Sequence, residues 1–170
     1  MSTLDGALIL FDFTHPAAVA AWAPVDDRVM GGVSWSRLRH DPAGHAVFEG
    51  CVSLEQGGGF ASVRCAPGAR GRPGARACVL EVRGAGPVFK LNLRTDDGFD
   101  GPTWQARLAP AGGSWQTLRL PLAHFVATFR GRALPDAPAL NPARIRQLGL
   151  LIADRQAGPF SLDVRRIALE

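Results

Sequence analysis

The chain has 170 residues, of which 46% are hydrophobic and 20% are charged, and its formal net charge is +4. This length suits one domain with a buried core, so we expect a single domain over residues 1–170. The composition excludes a disordered protein. Apolar runs such as residues 148–153 are too short to cross a membrane as a helix, and the first residues lack the features of a secretory signal. We therefore expect a cytoplasmic location and no membrane insertion.

The positive charge does not predict nucleic-acid binding. Lys90 is the single lysine, and the arginines are scattered along the chain. The nearest approach to a cluster is Arg64, Arg70, Arg72 and Arg76, in and around a stretch rich in Gly and Pro. Single-stranded nucleic acids are bound by basic residues interleaved with aromatic ones, and that pattern is missing here. We expect no nucleic-acid partner.

The three cysteines predict free thiols. Their number is odd, and the spacings between Cys51, Cys65 and Cys78 match no zinc or redox signature. Each lies among apolar residues typical of strands, so buried packing is the simplest interpretation.

The predicted elements are short and begin with a strand over residues 7–13. A short helix over residues 16–22 follows, with Thr14 as its cap and Pro16 in its first turn. Residues 26–36 are polar and rich in glycine, which favours a loop.

Short strands dominate the rest of the chain. They are predicted at residues 47–54, 60–64, 77–83, 88–94, 103–108, 115–120 and 148–153, with a last strand beginning near Phe160. Residues 66–75 are predicted to form a Pro/Gly loop, which is a candidate mobile insertion. Residues 125–142 are predicted to form a long connection without regular structure. About nine strands without alternating helices favour an all-β antiparallel sandwich or barrel with one short N-terminal helix. Its terminal strands are expected to pair in one sheet.

Motifs for catalysis are missing from the sequence. It has no glycine-rich phosphate loop, no GxSxG nucleophile motif, and no histidine pair at metal-binding spacing. An enzyme hypothesis would rest on Asp27 or Asp154 as an acid or base beside arginines. The more economical prediction is a protein without catalytic activity and without a cofactor.

A structural calcium ion is the one metal hypothesis. Asp12 and Asp163 lie on the first and last predicted strands, and neighbouring strands would let their carboxylates share Ca²⁺. Solvated strand ends are the alternative. The DDGFDG stretch at residues 96–101 breaks the calcium-loop pattern and suggests a hairpin tip instead.

The segment over residues 22–36 is the most unusual part of the chain. It combines Asp27, Arg28, Met30 and Ser34 with a glycine pair. One interpretation is a tightly hydrogen-bonded loop that closes an end of the sandwich. The other is a rigid loop that presents Arg28 and Met30 to a partner.

A second candidate site is the polar face of the middle strands. Phe89, Leu91 and Leu93 alternate with Lys90, Asn92 and Arg94, so the polar residues share one face. Arg64, Trp104 and Gln105 are expected to join them. An aromatic ring beside hydrogen-bonding groups suits a sugar or a peptide, whereas a partly covered outer face is the structural alternative.

Four stretches together resemble a known family. They are DDRVMGGVSWS, GCVSLEQGGGFASVR, RGRALP and LGLLIADRQAGPFSLDVRRI, and the resemblance extends over residues 10–167. The family is that of the complex I intermediate-associated proteins, the assembly factors of mitochondrial NADH:ubiquinone oxidoreductase. Its pattern has Asn before the DRVMGG aspartate, where this chain has Asp26.

The resemblance implies a galactose-binding-like jelly-roll sandwich, related to carbohydrate-binding modules, that acts as an assembly or chaperone-like protein. Its glycines would serve turns, and its aromatic residues Phe60, Trp115 and Phe160 would serve the core. The positions that match the family pattern are Asp27, Arg28, Met30, Gly31, Gly32, Ser34, Phe60, Ala61, Ser62, Arg64, Arg94, Trp115, Asp154 and Phe160. Fold likeness alone does not establish function.

The sequence thus leads to two hypotheses. The first is a non-enzymatic binding module that assists assembly of a respiratory or other membrane or redox complex, with a protein client such as a subunit or intermediate. The alternative is a carbohydrate-binding module that uses Trp104 and the polar strand face. The predicted partner-binding residues are Asp27, Arg28, Met30, Ser34, Arg64, Lys90, Arg94, Trp104 and Asp154.

Overall fold

The computed structural model describes residues 5–27, 31–96 and 101–170. Most of the regular structure in these ranges is β-strand. The strands are β1 (Leu8–Asp12), β2 (Trp22–Pro24), β3 (Trp35–Asp41), β4 (His45–Val52), β5 (Ala61–Cys65), β6 (Ala77–Arg83), β7 (Phe89–Arg94), β8 (Thr103–Leu108), β9 (Gln116–Pro121), β10 (Val126–Phe129), β11 (Arg132–Ala133), β12 (Gln147–Ile152) and β13 (Gly158–Leu169).

The predicted N-terminal helix is present as a 3-10 helix. It covers Pro16–Ala21, with Pro16 at its start. Thr14 does not cap it. Instead, the Thr14 hydroxyl donates a 2.7 Å hydrogen bond to Asp12. Further 3-10 helices lie at Glu55–Gly57, Leu122–His124 and Pro142–Arg144. None of the helices in the described ranges has the length and apolar character needed to span a bilayer.

Two antiparallel sheets confirm the predicted sandwich. One has the order β3-β4-β13-β6-β9, with β1 also paired to β13, and the other has the order β11-β10-β8-β7-β12-β5-β2. The terminal strands pair as expected, with Leu8 opposite Leu169 and Asp12 opposite Arg166. A bulge lets the long strand β13 pair with β4 along its first half and with β1 along its second.

The core lies between the two sheets and follows the predicted alternation. Phe89, Leu91 and Leu93 are fully buried, whereas Lys90 and Asn92 are only half-buried. The Phe48 and Phe160 rings of the six-stranded sheet meet edge to face, with their centroids 4.9 Å apart. This burial of large apolar side chains from both layers supplies the main favourable free energy of folding.

Two of the three predicted core aromatic residues lie elsewhere. Phe160 is in the core, but Phe60 is only half-buried. Trp115 is also half-buried, on the outer side of the six-stranded sheet, where the Arg165 guanidinium lies 4.0 Å from its ring centroid. The Arg83 guanidinium also lies over this ring, 4.8 Å from its centroid, so cation–π contacts hold Trp115 against the outer side of the sheet.

Several strands were not predicted. Strand β3 begins inside the segment predicted to be a loop, and β10 and β11 lie inside residues 125–142. Strand β3 is at the edge of its sheet and carries charged residues such as Arg37 and Arg39. Edge strands favour such residues because charge discourages pairing with other chains, and this weakens the apolar pattern.

The Pro/Gly loop over residues 66–75 is packed against the rest of the protein. Backbone N–H groups of Gly68 and Arg70 donate to Arg146 and Ile145, at 2.9 and 3.1 Å. A Cβ at Gly71 would collide with the backbone of Ala143. These contacts do not favour a mobile insertion, because glycine permits a close approach of the loop to residues 142–143.

Candidate functional site

The Asp26–Asp27 pair within the segment over residues 22–36 forms a buried junction. Asp27 is 2% exposed, and its carboxylate accepts hydrogen bonds from the Ser34 N–H at 2.9 Å and the Ser34 hydroxyl at 2.5 Å. The N–H groups of Gly59 and Phe60 donate to the same carboxylate at 2.8 and 3.3 Å. Burial by itself raises the pKa of Asp27, but these hydrogen bonds outweigh it and hold the pKa below its ordinary value.

Asp26 fastens a different pair of strands. Its carboxylate accepts from the Ser36 hydroxyl at 2.6 Å and from the Ser36 N–H at 3.1 Å, both on β3. It also accepts from the Ser62 N–H of β5 at 3.0 Å. Strand β3 belongs to one sheet and β5 to the other, so Asp26 ties the two layers together at this end of the sandwich.

The junction requires glycine at two positions that lie against the Asp27 side chain. A Cβ at Gly58 would be 2.7 Å from an Asp27 carboxylate oxygen, and a Cβ at Gly32 would collide with the same side chain. Gly32 and Gly58 thus leave room for the carboxylate, whereas Gly31, where a Cβ would meet nothing within 4 Å, provides a backbone at φ 91°.

Asp27 and Ser34 are therefore positioning residues of the loop. Both are buried, and their hydrogen bonds are made within the chain, so their side chains are not available for direct contact with a partner. The prediction that they bind a partner is wrong for this reason. Arg28 and Met30, predicted to be presented by the same loop, lie outside the described residues.

The seven-stranded sheet presents the second candidate site. Residues opposite each other in a sheet point to the same side, so the register defines the surface directed away from the core, which we call the outer face. Its strand positions are Ala23, Ser62, Arg64, Lys90, Asn92, Arg94, Thr103, Gln105, Arg107, Val126, Thr128, Ala133, Gln147, Gly149 and Leu151.

Trp104 does not belong to the outer face. It lies opposite Leu93, points into the core and is 8% exposed. The prediction that it contributes an aromatic surface is wrong, because β8 is in register with the inward-facing residues of β7 at this position. All the strand positions of the outer face lie in described ranges, and none of them has an aromatic side chain.

One end of the outer face is covered. Arg94 is 3% exposed and pairs with Asp96 at 3.1 Å, so the prediction that Arg94 contacts a partner is wrong in this structure. Burial, together with the positive charge of Arg94, lowers the pKa of Arg64. Gly149 lies between Arg64 and Asn92 in register and leaves the middle of the face without a side chain.

The other end of the outer face is open. A depression of about 480 Å³ lies there, lined by Val88, Lys90, Arg107, Asp154 and Gln156. The Lys90 ammonium pairs with the Asp154 carboxylate at 3.1 Å, so two predicted residues meet at this site. The Lys90 and Asp154 side chains are 23% and 62% exposed, which leaves both within reach of a ligand.

Asp154 lies in a turn with left-handed backbone conformation. The β12–β13 turn has Asp154 at φ 61° and Arg155 at φ 58°. The Gln156 side chain fixes the turn, since its amide donates to Val88 O at 2.7 Å and its oxygen accepts from Val88 N–H at 2.8 Å. Non-glycine residues at positive φ are strained and occur often at functional sites.

The sequence analysis missed Arg107, Gly149 and Gln156. Arg107 follows Gln105 at the spacing of two that the outer face requires, so the alternation in β8 contained the signal. Gly149 and Gln156 act through contacts with residues far away in the chain, and local sequence patterns do not show these.

The carboxylates proposed to share calcium face arginines. Asp12 lies 3.4 Å from Arg166 and accepts hydrogen bonds from Thr14, whereas Asp163 pairs with Arg83 at 2.8 Å. A guanidinium occupies the carboxylate and repels a cation, so this geometry does not favour a shared Ca²⁺. The described ranges contain no group of three or more His, Cys, Asp or Glu side chains that could hold a metal ion. The calcium site stays a prediction.

Comparison with known families decides which family the chain comes from. Residues 11–164 match the family described as complex I intermediate-associated protein 30 (CIA30). The chain belongs to this family. The match spans both buried aspartates and all but the last residues of β13, so the resemblance inferred from the sequence is confirmed.

Two relatives of the CIA30 family cover almost the whole chain. The Drosophila melanogaster protein named "Complex I intermediate-associated protein 30, mitochondrial" is 26% identical over 187 residues, which cover 95% of this chain and 62% of that protein. The Mus musculus protein of the same name is 24% identical over 181 residues, covering 95% and 55%. This chain therefore spans less than two thirds of the length of either relative.

A solved structure with a similar fold is a carbohydrate-binding module. The family 11 module of the cellulosomal cellulase Lic26A-Cel5E of Clostridium thermocellum superposes with a TM-score of 0.70 and 16% identity, covering 96% of this chain and 94% of that one. At such low identity the likeness shows the fold alone. It confirms that this CIA30-family chain has the predicted sandwich, shared with carbohydrate-binding modules.

Proposed function

We propose that this CIA30-family protein is a non-enzymatic binding module that assists assembly of a respiratory or other membrane or redox complex through contacts with a protein client. The open half of the outer face is the proposed contact surface. The observation that carries the proposal is the composition of this surface, where exposed Arg107 and Val126 lie beside half-buried Gln105 and Leu151.

The physical argument concerns what such a surface can bind. Arginine is enriched at protein interfaces, which combine apolar contact with directed hydrogen bonds. In the middle of the face, the Asn92 side-chain oxygen is buried and accepts no hydrogen bond from the described residues. A donor from a bound partner would compensate the cost of such an acceptor after a small movement.

Family membership supports the assembly role. The relatives named above carry the words "Complex I intermediate-associated" in their names. Because this chain covers only part of their length, the role comes to it as a proposal. The expectations of a cytoplasmic location and of no nucleic-acid partner are part of the same proposal.

The test is affinity capture from the native host, followed by identification of the captured proteins by mass spectrometry. Val126→Arg places a charge on the outer face at a side chain that is 53% exposed. The matched control is Ile9→Arg, at an aliphatic residue of β1 that is 41% exposed and lies in the other sheet.

We expect the wild type to capture subunits or assembly intermediates of a membrane or redox complex. Val126→Arg should reduce that capture by about tenfold, which is the effect expected when a contact at the centre of an interface is lost. Ile9→Arg should leave the capture unchanged. Capture of no reproducible partner, or equal loss with both variants, would contradict the proposal.

A further inference from the structure

The depression at the open end of the outer face has more positive than negative charge. Lys90 and Arg107 lie directly opposite each other on β7 and β8, and Asp154 is the single acidic residue in the lining. Like charges placed opposite each other in a sheet destabilise it. Asp154 offsets the charge of Lys90, and a bound anion would offset that of Arg107.

The two cations differ in what they already bind. The Lys90 ammonium is paired with Asp154 at 3.1 Å. The exposed Arg107 guanidinium has no ion pair or hydrogen bond with the described residues. Arginine presents two parallel N–H donors that match the two oxygens of a carboxylate, so Arg107 is the stronger recognition element.

Asp154 already shows how a carboxylate fits this site. Both of its oxygens lie within 3.3 Å of the Lys90 ammonium, and the strained turn holds it at the edge of the depression. About 480 Å³ of open space remains beside it, which is enough for a side chain as well as its charged group.

We propose that the depression binds an oxyanion, with Arg107 and Lys90 as its ligands, and that the oxyanion is a carboxylate on an acidic segment of the client protein. The second part rests on the proposed function. The net charge of +4 favours an acidic partner, and the size and openness of the depression favour a side chain on a peptide over a small free ion.

The experiment measures the fluorescence anisotropy of a labelled hexapeptide of alternating Asp and Glu, titrated with the whole chain at low salt. A hexapeptide of Asn and Gln is the uncharged comparison, and inorganic phosphate is a competitor. The variants are Arg107→Gln, Asp154→Asn and Arg132→Gln. The last removes the same charge from an exposed residue of β11, at the far edge of the sheet.

We expect Arg107→Gln to weaken binding of the acidic peptide by about tenfold, as for loss of a charge-assisted hydrogen bond. Asp154→Asn should tighten binding by about threefold because it removes a competing carboxylate. Arg132→Gln should change binding by less than about twofold, and added salt should weaken it.

Three outcomes would overturn the proposal. Equal weakening by Arg107→Gln and Arg132→Gln would mean that only net charge matters. Equal binding of the acidic and amide peptides would exclude oxyanion recognition. Binding of phosphate more tightly than the acidic peptide would exclude the acidic segment as the ligand. If the peptide behaves as expected but Val126→Arg captures clients as the wild type does, then the oxyanion site stands and the proposed function fails.

Discussion

The Ser34 hydroxyl links Asp27 to the β4–β5 connection. It donates a 2.5 Å hydrogen bond to the Asp27 carboxylate, and its oxygen accepts the Ser53 N–H at 2.9 Å. The Asp27 and Ser34 side chains are both buried. These hydrogen bonds therefore have a structural role, and the two side chains are not accessible to a partner. Two residues that looked functional from the sequence are thus structural.

The first prediction concerns the charge on Asp27. Asp27→Asn should lower the free energy of unfolding at pH 7 by about 2–3 kcal/mol. The reason is that an amide N–H would face backbone N–H groups that now donate hydrogen bonds to the carboxylate. Urea unfolding measures this loss. Asp136→Asn, at an exposed residue, is the control and should change stability by less than about 0.5 kcal/mol.

The effect of Asp27 should depend on pH in a defined direction. Its pKa in the folded protein is lower than the ordinary value of 3.8. The stabilisation is therefore fully present above the unfolded pKa and is lost as the pH falls through the folded pKa. The difference between wild type and Asp27→Asn should shrink below about pH 4. A difference that stays constant down to pH 2 would contradict this interpretation.

The second prediction concerns Gly58. Its backbone, at φ −69°, is accessible to any residue, so alanine would meet only steric conflicts, with the Asp27 carboxylate and with the backbone oxygens of Ser53 and Glu55. Gly58→Ala should destabilise the protein by about 1–3 kcal/mol in thermal or urea unfolding. Gly68→Ala is the matched control, since its Cβ would meet only ordinary contacts with Arg70, starting at 3.5 Å. Equal effects of the two substitutions would show that the junction tolerates a side chain.

The third prediction concerns carbohydrate binding. Sugar rings stack on exposed aromatic side chains, and the strand positions of the outer face have none. Trp35, 43% exposed, lies in the other sheet, so calorimetric titration of Trp35→Ala with a panel of oligosaccharides, including mixed-linkage glucans, should give no binding heat.

Trp104 provides the corresponding variant. Trp104→Ala should destabilise the fold by about 3–5 kcal/mol because it leaves a cavity in the core. An oligosaccharide that binds the wild type and loses affinity with Trp104→Phe, at unchanged stability, would restore the carbohydrate hypothesis.

The fourth prediction concerns the three free thiols. Burial raises the pKa of Cys78 to about 12, and it also raises the pKa of Cys65. Cys51 is only partly buried. In the native protein at pH 8, a thiol-specific reagent should modify Cys51 first and the other two much more slowly, because the thiolate is the reactive form. In denaturant all three should react alike, and fast native labelling of Cys78 would contradict the predicted order.

Much of the fold followed from local patterns. The alternation from Phe89 to Arg94 predicted which side of β7 faces the core, and dense turn residues predicted an antiparallel all-β fold. Edge strands escaped prediction because their exposure weakens the apolar alternation, as in β3. The packing of the loop at residues 66–75 was not predicted because it depends on hydrogen bonds to residues 142–146, which cannot be inferred from local composition.

By itself, the sequence determined the class of fold, the family and the polar character of one strand face, because each of these depends on residue types at short spacing. Only the tertiary structure decided which polar residues are accessible. The register between β7 and β8 directs the Trp104 side chain into the core and places Arg107 opposite Lys90. Long-range hydrogen bonds, which join Asp27 to Phe60 over 33 positions, place Asp27, predicted to be a binding residue, in a buried junction.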